Sequence, residues 1–233
     1  MPSLRLASAT LDYPVVSPES LNFKRLAVDA IRGRRTAPPV IRALDAIDLD
    51  LDPGDRLGIY GPNGSGKSSL LKLMAGIYPP SSGMVQRNGR VTALLGLGLG
   101  ANIELSARDN IELLLRFEGL KPDTAMIDAI WAFAELERKF LDLSLRHFST
   151  GMMMRLFFAV STSAEPEILL MDEWLSVVDE TFMHKAEARL RAFVGKAGVF
   201  AIASHNIHLL RDVCDRIIFL DNGRIVRTEP ITA

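Results

Sequence analysis

Cysteine is nearly absent: Cys214 is the single copy among 233 residues. No internal disulfide can form, no His/Cys cluster lies near it to suggest structural zinc, and a reducing cytoplasm fits. Charge of one sign is not in excess either, with 27 basic against 28 acidic residues and a net charge of −1. That removes the global basic field expected of a nucleic-acid binder, so no nucleic-acid partner is expected. Long apolar runs are missing: none approaches the roughly 18 residues of a membrane span. The stretch Met1–Tyr13 lacks the basic start and continuous apolar core of a signal peptide. There is no internal repeat. What remains is a globular composition, 48% hydrophobic and 24% charged, slightly apolar at a mean hydropathy of +0.17. It suits one α/β domain over 1–233 that hides an apolar face against a partner, or one with a well-filled core.

Hydrophobic periodicity orders the chain. Leu44, Ile47, Leu49 and Leu51 interleave with Asp48, Asp50 and Asp52, as in a strand with one wet face that ends at Pro53-Gly54. Leu57-Gly58-Ile59-Tyr60 is a short apolar strand entering a Gly-rich loop, after which Leu70, Leu71 and Met74 take helical spacing. Asn88-Gly89 and Asp221-Asn222-Gly223 each predict a hairpin turn. Residues 106–164 read as almost entirely helical, a subdomain of about 102–163. Strands resume at Ile168–Met171, Val199–Ala203 and Arg216–Leu220, so a parallel sheet continues after the helices. The segment 14–39 fits this plan poorly and reads as an insertion. Its short basic helix would either touch lipid headgroups or a membrane-bound partner, or be a solvated surface helix with an exposed basic end.

Gly61-Pro62-Asn63-Gly64-Ser65-Gly66-Lys67-Ser68 matches the Walker A pattern, after a strand and before a helix. Glycines let the backbone wrap a phosphate so that N–H groups and the helix N-terminus face negative charge. Lys67 would reach the β/γ-phosphates, Ser68 would offer its hydroxyl to Mg²⁺, and Ser69 continues the same turn. Ile168-Leu169-Leu170-Met171-Asp172-Glu173 is an apolar strand delivering two carboxylates at its carboxyl end, where open α/β sheets place ligands. Asp172 would serve Mg²⁺ and Glu173 would polarise the attacking water. Either acid could instead cap a helix, but capping does not explain both.

Phe148-Ser149-Thr150-Gly151-Met152, shortly before that strand, resembles a variant of the signature motif of ABC-type ATPases. Taken alone it would be an ordinary helix cap; its place between the two nucleotide motifs favours the resemblance. Ser149 and Gly151 match the family pattern, while Thr150 and Met152 depart from it. The resemblance implies a P-loop NTPase core with antiparallel hairpins and a helical subdomain. It also implies ATP and Mg²⁺ as cofactors, and a head-to-tail homodimer in which Ser149 and Gly151 close on the partner's nucleotide. Asp179, in Ser176-Val177-Val178-Asp179, resembles the loop that crosses that interface. His205 resembles the histidine that contacts the γ-phosphate, whereas His184 and His208 match nothing. Tyr13 is the first candidate to stack on adenine, ahead of Phe23. The family's metal-linked glutamine should fall near Gly96–Gly98, where the chain reads Leu94-Leu95-Gly96-Leu97-Gly98-Leu99-Gly100.

That Leu/Gly-rich loop, the Ser-Thr-Gly-Met signature and the run Pro166–Asp179 together resemble cassettes exporting O-antigen, capsule or teichoic acid. Such a subunit would sit at the cytoplasmic face of the inner membrane, bound to a transmembrane permease. Some relatives carry an added carbohydrate-binding domain, and this chain reaches Ala233 shortly after its last hairpin. An exporter of another cargo is the nearest alternative. A non-transport mechanical ABC ATPase would need coiled-coil arms or a second Walker A, a small-molecule kinase an arginine-rich lid, and a plain binding module would have no use for Glu173.

Overall fold

The computed structural model describes residues 1–15, 40–96, 98, 100–173 and 180–231. Almost all of the expected insertion, Phe23 among it, lies outside the described residues, as does the 176–179 loop.

Two sheets meet across one apolar layer. The strands β1 (Ser3–Pro14), β2 (Val40–Leu51) and β4 (Ser82–Asn88) form an antiparallel sheet in the order β2-β1-β4. The second sheet runs β5-β6-β7-β3-β8-β9. Its members are β5 (Val91–Leu94), β6 (Ile168–Asp172), β7 (Val199–Ser204), β3 (Arg56–Tyr60), β8 (Arg216–Asp221) and β9 (Arg224–Pro230). Every pairing there is parallel except β8 with β9, which close the hairpin expected at Asn222-Gly223.

Strand periodicity divides the core. On β6, Ile168 and Leu170 face the small sheet and the helix α1 (Lys67–Ala75), while Leu169 and Met171 face the opposite layer. That second layer contains α5 (Glu180–Lys196) and α6 (Ile207–Val213). Residues buried on both faces explain why β6 and β7 read as unbroken apolar runs.

The helices α2 (Ala107–Phe117), α3 (Thr124–Ala134) and α4 (Thr150–Ser161) bury a third apolar cluster around Ile111, Trp131 and Leu156. Ser106, Asp123 and Ser149 cap them, each side chain accepting a backbone N–H of the first turn. The expected near-continuous helix is interrupted: residues 135–149 hold only two 3₁₀ turns, at Arg138–Phe140 and Leu145–His147. Glu135 stops α3 in a left-handed conformation at φ 55°, and the return path is pinned by backbone bonds such as Leu145 N–H to Leu105 O at 3.1 Å.

The hairpin expected at Asn88-Gly89 is not formed. β4 pairs with β1 and β5 with β6, so the turn carries the chain from one sheet to the other. Asn-Gly reports a positive φ, here 107° at Gly89, but not which partner the next strand finds. Glu167, accepting from Arg90 N–H at 2.8 Å, ties the crossing to the root of β6. Among the described residues, no helix is long and apolar enough to cross a membrane.

Candidate functional site

At the carboxyl edge of the parallel sheet, β3 runs into the loop 61–66 and then α1. A Cβ at Gly61 would strike the Leu220 carbonyl and lie 2.6 Å from Ser65 Oγ, so only glycine lets the loop pass so close to β8. Gly66, at φ 106°, occupies the N-cap of α1 without a side chain to fill its mouth. Lys67 folds back over the loop, donating to the carbonyls of Gly61 at 2.7 Å and Pro62 at 2.9 Å. Ser65 Oγ is buried and has no hydrogen-bond partner among the described residues. A loop whose lysine is turned on its own carbonyls, beside an orphaned hydroxyl, suits an anion that takes over those bonds.

Ser68 Oγ donates to Asp172 Oδ2 at 2.6 Å, joining the first turn of α1 to the end of β6. Hydroxyl and carboxylate are the hard oxygen donors that Mg²⁺ takes. The next residue, Glu173, takes φ 65° while its N–H donates to Ala203 O at 2.9 Å. A left-handed glutamate costs about 1 kcal/mol and persists only where its surroundings hold it. Here the holder is β7, whose end also presents His205, with Nδ1 2.6 Å from Glu173 Oε1.

Tyr13, at the end of β1, reaches over α1 and donates to Ser69 Oγ at 3.2 Å, its ring edge-on to Tyr78 at 5.3 Å. Tyr13, Asn63, Gly64, Gly66, Lys67, Ser68, Ser69, Asp172 and Glu173 thus line one cleft of about 820 Å³. Gly61 and Ser65 form the loop beneath it. Ser149 and Gly151 do not reach it; with Glu135, Phe140 and Arg155 they line a separate depression of about 300 Å³. Asp179 lies outside the described residues.

Sequence reasoning missed the other wall. Ile41, Arg42, Ala43, Asn222 and Gly223 also line the cleft. Asn222-Gly223 was legible only as a turn, and Arg42 belongs to no motif. Arg42 bridges Asp12 at 3.0 Å and Asp45 at 3.2 Å, and these carboxylates raise its pKa further. Arg224, with Arg42 behind it, holds the Asp45 carboxyl below its ordinary range. The loop from Leu95 to Gly100 borders the cleft at Leu95 and Gly96. Gly98, at φ 82°, lies against the ring of Phe157, so no side chain fits there.

A glycine-rich strand-to-helix loop facing a carboxylate pair, with a histidine bonded to the second carboxylate, at the edge of a parallel sheet, is the arrangement of a nucleoside-triphosphate-hydrolysing cassette. Residues 44–176 match the ABC transporter family, and the chain belongs to that family, as an ATPase that serves transport. Among curated proteins it is 41% identical over 232 residues to the O-antigen export system ATP-binding protein RfbE of Yersinia enterocolitica, covering 97% of each. It is 40% identical to RfbB of Myxococcus xanthus, over 90% of this chain but 48% of that protein. It is 35% identical to the teichoic acids export ATP-binding protein TagH of Listeria innocua, over 78% of this chain and 55% of that one. The chain therefore spans about half the length of these last two. In fold it is similar to the ATP-binding cassette MJ0796, solved as a dimer bound to ADP and Pi, with a TM-score of 0.71 at 22% identity over 99% of each chain.

Proposed function

We propose that the chain is the ATP-hydrolysing subunit of an exporter that moves a polysaccharide or lipid-linked glycan across the cytoplasmic membrane. The observation that carries the nucleotide chemistry is the convergence of Lys67, Ser68, Asp172 and Glu173 on one cleft. The glycan cargo rests on similarity along nearly the full length of RfbE of Yersinia enterocolitica.

Lys67 exchanges the Gly61 and Pro62 carbonyls for β/γ-phosphate oxygens, while the N–H groups at the start of α1 face the same charge. Ser68 and Asp172, now bonded to each other, would be the residues to hold Mg²⁺, which would supply neutralisation of charge on the phosphate oxygens. Glu173 orients the attacking water and accepts its proton, and His205 keeps the carboxylate turned toward the cleft. Ser149 and Gly151, at the start of α4, serve the nucleotide of a second copy. Their separation from the cleft within one chain is what such a head-to-tail dimer requires. A transmembrane permease docks beside the glycine-rich loop and the helical subdomain, where Ile103, Leu105, Phe117 and Leu143 are exposed. The subunit would then be peripheral on the cytoplasmic face.

Placing Glu173→Gln in the native host tests the cargo. Loss of surface polysaccharide with lipid-linked polymer accumulating inside is the expected result. An unchanged distribution would leave an ABC ATPase and remove the glycan.

A further inference from the structure

The aromatic wall and the phosphate loop come from strands far apart in the chain, and an unbroken series of bonds joins them. Ser65 O accepts from Gly223 N–H at 2.9 Å, and Gly223 O accepts from Asp45 N–H at 2.9 Å. The Asp45 carboxylate takes Arg42 Nη1 at 3.2 Å on one oxygen and Arg224 Nε at 2.9 Å on the other. Arg42 then forks onto Asp12, Nε to Oδ1 at 3.0 Å and Nη2 to Oδ2 at 3.4 Å. Asp12 is the residue before Tyr13.

Two further observations make Asp45 the node. The β1–β2 register slips between Leu11 and Asp12, so the short run that pairs Asp12 with Arg42 and Tyr13 with Ile41 is offset from the ladder before it. The Ala43 carbonyl packs close to both neighbours: it would lie 2.8 Å from a Cβ added at Gly66 and 2.6 Å from one added at Gly223. Exposed ion pairs contribute little, but the carboxylates here are only 19% exposed and one is shared by two guanidinium groups.

We propose that Asp45 is a positioning residue for the nucleotide: through Arg42 and Asp12 it holds the wall carrying Tyr13 in register with the phosphate loop. This rests on the nucleotide reading of the cleft. The wall serves the nucleoside end of the ligand, and the loop serves the phosphates. Asp45→Asn leaves the backbone link to Gly223 intact and, by removing the carboxylate charge, weakens the Arg42 branch toward Tyr13 along with the Arg224 pair on the other oxygen.

Calorimetric titration of the full chain with ATP and with inorganic tripolyphosphate, both with Mg²⁺, separates the two ends. Asp45→Asn should weaken ATP about fivefold while tripolyphosphate stays within about twofold. The KM for ATP should rise in proportion, with kcat largely retained. Arg42→Gln, which cuts the next link, should reproduce that split even if Asp45→Asn folds poorly. Equal loss for both ligands would mark a structural disturbance of the loop, and no loss for either would leave the network without this role; both overturn the proposal. A native chain that binds neither ligand would instead refute the nucleotide reading, and this inference with it.

Discussion

Glu173 Oε1 and His205 Nδ1 lie 2.6 Å apart, although 32 residues separate them in sequence. The ends of β6 and β7, neighbours in the parallel sheet, bring them together. The histidine is 73% exposed and the glutamate 42%, so the pair faces solvent. With Glu173 as the base, Glu173→Gln should lower kcat about 10²- to 10⁴-fold and leave ATP affinity within about twofold. His205→Ala should lower kcat by less, since it removes the orientation but not the base. Steady-state ATPase rates with parallel ATP titrations decide it; a Glu173→Gln protein that turns over normally would dismiss the assignment.

Ser149 is the N-cap of α4, its hydroxyl accepting from Met152 N–H at 3.2 Å. It lines a depression apart from the cleft. If Ser149 serves the nucleotide of a second copy, as proposed, an arginine there should spare ATP binding to one chain and obstruct a second chain closing on it. Ser149→Arg should also lose about 1 kcal/mol of cap energy. At protein concentrations where the chain is monomeric, its ATP affinity should match the native value, while ATP-driven dimerisation by light scattering should vanish. Loss of nucleotide binding in the monomer would place Ser149 in the wrong subunit.

The strand-to-helix turn that gathers Gly61–Ser68 was legible because local spacing carries it: glycines, a lysine and a serine sit within one loop. The carboxylate pair was legible because β6 is buried on both faces, which leaves its polar end conspicuous. The β4–β5 crossing was not, because Asn88-Gly89 encodes a turn while strand partners are chosen by long-range burial. Nor was the Asp12–Arg42–Asp45–Arg224 network, whose members are unremarkable surface charges until β1, β2 and β9 converge. Asn110 belongs to no motif in the sequence. Fully buried, it staples the segment after the glycine-rich loop through Asn102 and the Leu105 and Ser106 carbonyls.

The missing loop glutamine has a steric counterpart. A Cβ at Gly98 would lie 2.9 Å from Phe157 Cζ and closer still to other ring atoms, and one at Gly100 would lie 2.9 Å from Phe117 Cε2. Both glycines have positive φ, 82° and 90°. Gly98→Ala therefore combines a left-handed alanine with an overpacked aromatic contact, at a cost of about 2–3 kcal/mol. At this chain length that lowers Tm by about 4–12 °C. Differential scanning calorimetry checks it. A variant melting with the native protein would mean that the loop can withdraw from α4 freely.

Burial pushes the Glu118 carboxyl up to about 7, with Arg90 pulling weakly the other way. The residue sits at the C-terminal end of α2, where the helix dipole also disfavours a negative charge. Between the ordinary glutamate range and about 7, the unfolded chain has released this proton and the folded chain has kept it. The contribution is therefore fully present below about pH 4.5 and is lost as pH rises through about 7. Partial exposure limits it to about 1–2 kcal/mol. Glu118→Gln keeps the neutral shape at every pH, so it should melt higher than the native chain at pH 8 and together with it at pH 5. If the difference between the two proteins is the same at both values, Glu118 ionises in the fold as it does in water, and its half-buried place at the end of α2 costs nothing.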